Sequence, residues 1–329
     1  MIQLKSVYSG NKLVAIALLL FLPPPLITAQ DSYELAWKFE SGQRFDFELS
    51  QTSELETEVE TVANTIKTTN SVKFHWEVKK VNDDGEAEIV MVFDQMKIDV
   101  QLPTPKGSRS FIIDSDSEAG KKPDEFESEM RANIDAVIGS EIKLTVSARG
   151  ELMHLELPDS AKAKLRDAPQ SMQIRQLVTE NGIKELLGSS RMVLPDEPIN
   201  KGHVWTIAED FSNSIGTFER QQILTFAGIF PRKSEDLAKI TVETKLIPKT
   251  PNDETGTNAK KDTDSAGQLP AVEVRSQAGT GTIWFDNDQG FLKAAEIDIQ
   301  LVTQTPYRDM KINIQMTSRI KLEVFRIAK

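Results

Sequence analysis

The sequence predicts a mainly β protein: two related, strongly curved antiparallel sheets, each with helical cover, joined by a helical connector. Three observations carry that expectation. Apolar and polar residues alternate at strict period two in many stretches, glycine-bearing turn sequences lie between them, and helical spacing is confined to two zones.

The clearest alternation closes the chain. From Met310 to Val324 the even positions read Met, Ile, Ile, Met, Ser, Ile, Leu, Val, and the odd positions are Lys311, Asn313, Gln315, Thr317, Arg319, Lys321 and Glu323. One long strand follows, with a buried face and a wet face, about 50 Å long at about 3.3 Å per residue. Its inward set, from Met310 to Leu322, is expected to lie against the core of the second half.

Other stretches alternate in the same way: Val72, Phe74, Trp76 and Val78; Ile142, Leu144 and Val146; Ile240 and Val242; Ile297, Ile299 and Leu301. Between them, Asn82-Asp83-Asp84-Gly85, Ala148-Arg149-Gly150 and Asp286 to Gly290 place a glycine where a bulged hairpin takes a left-handed residue. Alternation with polar outer faces marks antiparallel sheets packed on one side.

Asp124 to Ile138 has helical spacing through Phe126, Met130, Ile134 and Val137, with Gly139 as cap. A second helical zone, 158–190, is the expected connector, broken near Asn181-Gly182. Lys249 to Pro270 has almost no apolar residue and reads as a disordered loop. Pro103 to Pro123 reads as a weaker loop, with Phe111-Ile112-Ile113 able to form a short strand.

The first residues have the three parts of a secretory signal. Lys5 and Lys12 precede an apolar run from Leu13 to Leu22, prolines 23–25 end it, and Ala29 supplies a small residue for cleavage. The expected organisation is therefore a signal peptide over 1–29, a first β-rich half over 30–157, the connector over 158–190 and a second β-rich half over 191–329. The same order of glycine–aromatic opening, long strands and a Gly-x-Leu after a turn occurs in each half, at Gly150-Glu151-Leu152 and Gly290-Phe291-Leu292, which reads as an internal duplication.

The 329 residues include no cysteine. Disulfides, a lipid-anchored N-terminus and cysteine-ligated zinc are excluded. Residues 1–29 hold two lysines and no acid, so the chain beyond them has 37 basic and 50 acidic residues and a charge of −13. Such a chain is repelled by nucleic acid and by anionic lipid surfaces. No run beyond residue 29 is long and apolar enough for a spanning helix, so the expected product is soluble and exported, periplasmic or extracellular.

The signal, Ile112-Ile113-Asp114-Ser115, and Leu194-Pro195 followed by Lys201-Gly202-His203-Val204-Trp205 give the chain its likeness to known proteins. In these features it resembles a family of exported bacterial proteins of unknown function. In outline it is also similar to periplasmic lipoprotein carriers, whose half-barrels hold acyl chains; that likeness implies an apolar ligand and no reaction.

Candidate chemistry is sparse. His75, His154 and His203 lie in three distant segments without ligand spacing, and read as surface or capping residues. Ser318 and Lys321 have the spacing of a serine–lysine pair, but on a strand they point to opposite faces. Asp114, Asp116, Glu118 and Glu125 match a calcium-loop register that lacks its glycine, with Ala119 in that place. Glu54, Glu56, Glu58 and Glu60 read as the charged wet side of an edge-prone strand.

No catalytic, cofactor-binding or metal residue is assigned, and no cofactor. The expected function is non-enzymatic binding or interaction in the periplasm or envelope, with an apolar or lipid-like ligand or an envelope protein as partner. The alternatives are an envelope hydrolase assembled from scattered acids and a structural envelope component.

Overall fold

The computed structural model describes residues 32–60, 62–104, 107–117, 125–168, 179, 182–184, 187, 192–212, 217–249, 272–307 and 310–327. The expected signal over 1–29, the loop 250–270, Glu118 and most of the connector beyond residue 168 lie outside them.

The strands are β1 (Ser32–Tyr33), β2 (Arg44–Val59), β3 (Val62–Val81), β4 (Ala87–Thr104), β5 (Gly107–Asp114), β6 (Ile142–Val146), β7 (Leu152–Glu156), β8 (Ile199–Asn200), β9 (Val204–Ser212), β10 (Thr217–Arg232), β11 (Glu235–Pro248), β12 (Glu273–Asp286), β13 (Phe291–Tyr307) and β14 (Met310–Ile327). The helices are α1 (Glu125–Val137) and α2 (Asp159–Asp167). The hairpin glycines take the expected left-handed backbone, Gly85 with φ 77° and Gly150 with φ 83°.

The two expected sheets are one. A single 12-stranded sheet runs in the order β7-β6-β4-β3-β2-β14-β13-β12-β11-β10-β9, with β5 beside β4, and β1 pairs with β8 apart from it. Two meanders are fused where β14 pairs antiparallel with β2 from Ile312↔Val59 to Ile327↔Arg44. The physical reason is that β14 has two edges to satisfy. One goes to β13 and the other to the first long strand of the chain. Nor does each half have helical cover: α1 packs Met130, Ile134 and Val137 into the core beside β4, where Gly139 donates its N–H to the Phe93 carbonyl. The helical connector is also corrected: α2 ends at Asp167, and beyond it, before β8, helix among the described residues is confined to 182–184 and 187.

One end of the sheet, here the proximal end, holds the core. Phe45, Phe47, Leu49, Phe74, Ile89, Phe93, Ile240, Phe285 and Leu322 are buried on the inner face. Residues 32–43 run across this end as a strap. The Trp37 N–H donates to Ala148 in the β6–β7 turn, the Lys38 N–H to Gly290 in the β12–β13 turn and the Gly42 N–H to Val78 of β3. Tyr33 meets Phe226 of β10 edge-on at 5.3 Å.

Residues 192–194 tie the two edges of the sheet together. Leu194 exchanges hydrogen bonds with Arg149 in the turn before β7, and Trp205 of β9 donates its indole N–H to the Val193 carbonyl. A sheet whose opposite edges reach one short segment has curled strongly, as the right-handed twist of eleven successive strands requires. The outer face is wet, crossed by ion pairs such as Lys67–Glu54, Lys73–Glu48 and Lys321–Glu296. Those pairs are exposed and contribute little to stability.

The inward set of β14 is buried only toward the proximal end. Ile320, Leu322 and Val324 are buried, whereas Met310, Ile312, Ile314 and Met316 are half-buried. No helix among the described residues is long and apolar enough to cross a membrane.

Candidate functional site

The inner face of the sheet changes character along the strands. Beyond the proximal core lies a polar belt: Gln51, Ser53, Thr68 and Asn70 on β2 and β3, Ser318 on β14, Gln222 and Thr244 on β10 and β11. Strand parity puts all of them on the same side as the core, because Gln51 follows Phe47 and Leu49 at period two and pairs with Ile320 and Asn70. The Gln51 amide donates to Ser318 Oγ at 3.2 Å. Asn70 Oδ1 and Thr244 Oγ1 are buried and make no hydrogen bond among the described residues.

Beyond the belt the face turns apolar again. Phe218, Leu246 and Leu301 form a second buried cluster, surrounded by partly buried Leu55, Val274, Ile299, Ile314 and Met316. At the margin of this patch Arg220 of β10 lies opposite Glu209 of edge strand β9 and pairs with its carboxylate, Nε to Oε1 at 2.9 Å. The guanidinium side chain is only 9% exposed. A charged pair on an otherwise apolar face needs each partner to hold the other's charge, since an unpaired buried charge is costly.

At the proximal end is a cavity of about 40 Å³ with apolar walls that include Phe47, Phe74, Leu187, Met192 and Leu322. Trp37 from the strap and Trp76 from β3 also line it, their rings 6.2 Å apart. Both indole N–H groups are buried and have no acceptor among the described residues. A buried donor left unmade costs about 1–3 kcal/mol, and buried tryptophan usually finds a partner, as Trp205 does here. Gly150 forms part of the wall: a methyl group on it would sit 2.5 Å from Trp37 Nε1 and 2.6 Å from the Met192 carbonyl oxygen.

The residues singled out in the sequence are scattered. His75 is buried on the outer side of β3, where its Nδ1 meets Asp94 Oδ2 at 2.8 Å. His154 lies on β7 and His203 precedes β9, both exposed. Ser318 faces the inner belt while Lys321 pairs outward with Glu296 at 3.2 Å, as their spacing on a strand requires.

At the calcium-like register, Asp114 accepts from the Asp116 N–H at 3.1 Å, and this bond, aided by Gln95 and Lys97, holds its carboxyl below the ordinary 3.8. Arg131 donates to the Ser117 carbonyl at 2.8 Å and to the Asp114 carbonyl at 3.4 Å, which brings a positive charge beside this turn. No group of three or more metal-ligating side chains occurs among the described residues. Glu54, Glu56 and Glu58 lie on the wet face of β2, which is a central strand and not an edge; Lys67 pairs with Glu54 and Asn313 donates to Glu58. Glu60 stands in the β2–β3 turn with φ 55°.

Sequence reasoning missed the indole pair, the Arg220–Glu209 pair and His75–Asp94. The opposition of unlike charges at mirrored positions of β9 and β10 was a readable signal for the second of these. An unsatisfied donor has none.

No protein-family model and no curated protein sequence matches the chain. Among solved structures, it is similar to lipovitellin, in a structure described as showing lipid–protein interactions, with a TM-score of 0.42 and 9% identity over 88% of this chain. The chain spans 26% of that lipovitellin chain. It is also similar to the Pseudomonas aeruginosa protein OccK11, with a TM-score of 0.21 and 5% identity, over 88% of this chain and 99% of the other. At these scores neither likeness carries an argument about fold or ligand.

Proposed function

We propose that the protein is exported and acts as a non-enzymatic binding protein that holds an apolar ligand on the inner face of its sheet. The observation that carries this reading is the second apolar patch. Leu55, Ile314 and Met316 remain partly buried around Phe218, Leu246 and Leu301, set apart from the structural core by the polar belt on β2, β3, β14, β10 and β11, while on β13 the row Ile297, Ile299 and Leu301 stays apolar through it. A face needed only for packing has no reason to resume beyond that belt, whereas apolar surface with a few placed polar groups is the usual composition of a ligand site. Export is supported by the basic start, short apolar run and Ala29 exit of residues 1–29.

The test is uptake of an apolar fluorescent dye, N-phenyl-1-naphthylamine, by the wild type and by Met316→Ala. The expected result is saturable binding to the wild type, weakened in the variant with little change in thermal unfolding, because Met316 is half-buried. No dye uptake by the wild type overturns the reading. An interaction role is the second reading, favoured by the small volume of the proximal cavity, about 40 Å³, and it is the one left standing by that result.

A further inference from the structure

We infer that the junction between β11 and β12 is the seam at which the sheet parts to admit the apolar ligand. This rests on the reading that the chain binds such a ligand on its inner face, and it names the element that moves.

Phe218 on β10, Leu246 on β11 and Leu301 on β13 form one cluster and are 0%, 3% and 1% exposed. Side chains packed that closely give a ligand little to touch until they part. The ladders decide where parting costs least. β10 holds β11 from Phe218↔Pro248 to Arg232↔Glu235, so Phe218 and Leu246 move together. β12 holds β13 from Glu273↔Gln304 to Asp286↔Phe291. β11 and β12 pair only from Ala238↔Phe285 to Glu243↔Thr280, although β11 continues to Pro248 and β12 begins at Glu273.

Where that short ladder stops, the strands are still close: a methyl group on Gly279 would sit 2.6 Å from Thr244 Cβ. Two residues further a side chain replaces the ladder. Leu246 and Gln277 would face each other if the register continued, but the Leu246 N–H donates to Gln277 Oε1 at 2.6 Å. β12 has a bulge beyond it, between Val274 and Ser276. Arg275 to Ala278 are all exposed, whereas a strand packed on one face buries alternate residues. On the other side β9 ends the sheet, so β9, β10 and β11 form a flap. Side-chain bonds tie it to the rest at the proximal end, through Lys293 to Glu235 at 2.9 Å, Lys233 to Glu323 at 3.4 Å and Trp205 to the Val193 carbonyl. Opening from the far end breaks the Gln277 bridge first and separates Phe218 and Leu246 from Leu301. A local opening of this kind exposes little and breaks few backbone bonds.

The chain has no cysteine, so the double variant Lys245→Cys, Ala278→Cys lets bismaleimidoethane link the two lips of the seam and nothing else. Both positions are exposed and would face each other in the continued register. Uptake of N-phenyl-1-naphthylamine is followed by stopped-flow fluorescence. Linking is expected to slow uptake about tenfold or more against the same variant capped with N-ethylmaleimide, because opening then limits entry. Gln277→Ala, which removes the bridge to Leu246, is expected to speed uptake severalfold over wild type. Circular dichroism confirms that each protein is folded. A linked protein as fast as the capped one, or Gln277→Ala no faster than wild type, overturns the seam while leaving the apolar-ligand reading in place. No dye uptake by the wild type removes both.

Discussion

Leu322 of β14 lies directly opposite Leu49 of β2, and both are buried. That pairing joins the last strand of the chain to the first long one, and it makes a single cooperative sheet of two meanders. Burying such a side chain contributes about 1.5–3 kcal/mol, against a net stability of about 5–15 kcal/mol for a typical domain. Leu322→Asp is therefore expected to unfold both meanders together. Ile314→Asp, at a half-buried position of the same strand, costs less, and Asn313→Asp is tolerated. Urea unfolding followed by tryptophan fluorescence and circular dichroism checks this, with coincident transitions expected for the wild type.

Glu209→Gln takes a paired carboxylate away from the Arg220 guanidinium on the inner face. A loss of about 3 kcal/mol is expected, whereas the double variant Glu209→Gln, Arg220→Leu recovers most of it. Denaturant melts of the two single variants and the double variant form the cycle that measures the coupling.

Gly150→Ala is expected to cost more than Gly139→Ala. Both glycines have positive φ, at 83° and 68°, so both substitutions incur a left-handed backbone penalty of about 1 kcal/mol or more. Only at Gly150 does the added methyl also meet Trp37 Nε1 and the Met192 carbonyl. The difference between the two melting temperatures isolates that steric contact.

Acid destabilisation has a defined contributor in Asp114. Its folded-state pKa lies below the ordinary 3.8 because the Asp116 N–H bonds its carboxylate. Stability from this group is complete above the ordinary value and is lost as pH falls through the lowered folded value. Melting temperatures of wild type and Asp114→Asn, compared between pH 6 and pH 2, are expected to converge at the acid end.

Export makes a separate prediction. Intact mass of the secreted protein is expected to correspond to an N-terminus at or within a few residues of Gln30; a full-length species retaining Met1 in the envelope contradicts cleavage.

The faces of the strands were legible in the sequence. Alternation from Met310 to Val324 assigns the inward row correctly, and Asn82 to Gly85 forms its turn. Strand partners were not legible, because period two states which side a residue faces and is silent on which strand lies beside it. The pairing of Leu322 with Leu49, distant in sequence, is of that kind. So is the strap, whose Leu35, Trp37 and Phe39 alternate like a strand although the Trp37 and Lys38 backbone N–H groups donate singly to two separate turns. The polar belt escaped notice because Gln51, Ser53 and Asn70 look like ordinary wet residues until parity places them behind the core.

The most direct test of the inner face as a ligand site is native mass spectrometry of the protein purified from its own envelope, followed by organic extraction. The expected spectrum carries a mass above that of the processed polypeptide, released into the organic phase as an apolar molecule and reduced in Met316→Ala. A wild-type protein found only at its bare polypeptide mass, with nothing apolar extracted, contradicts the account.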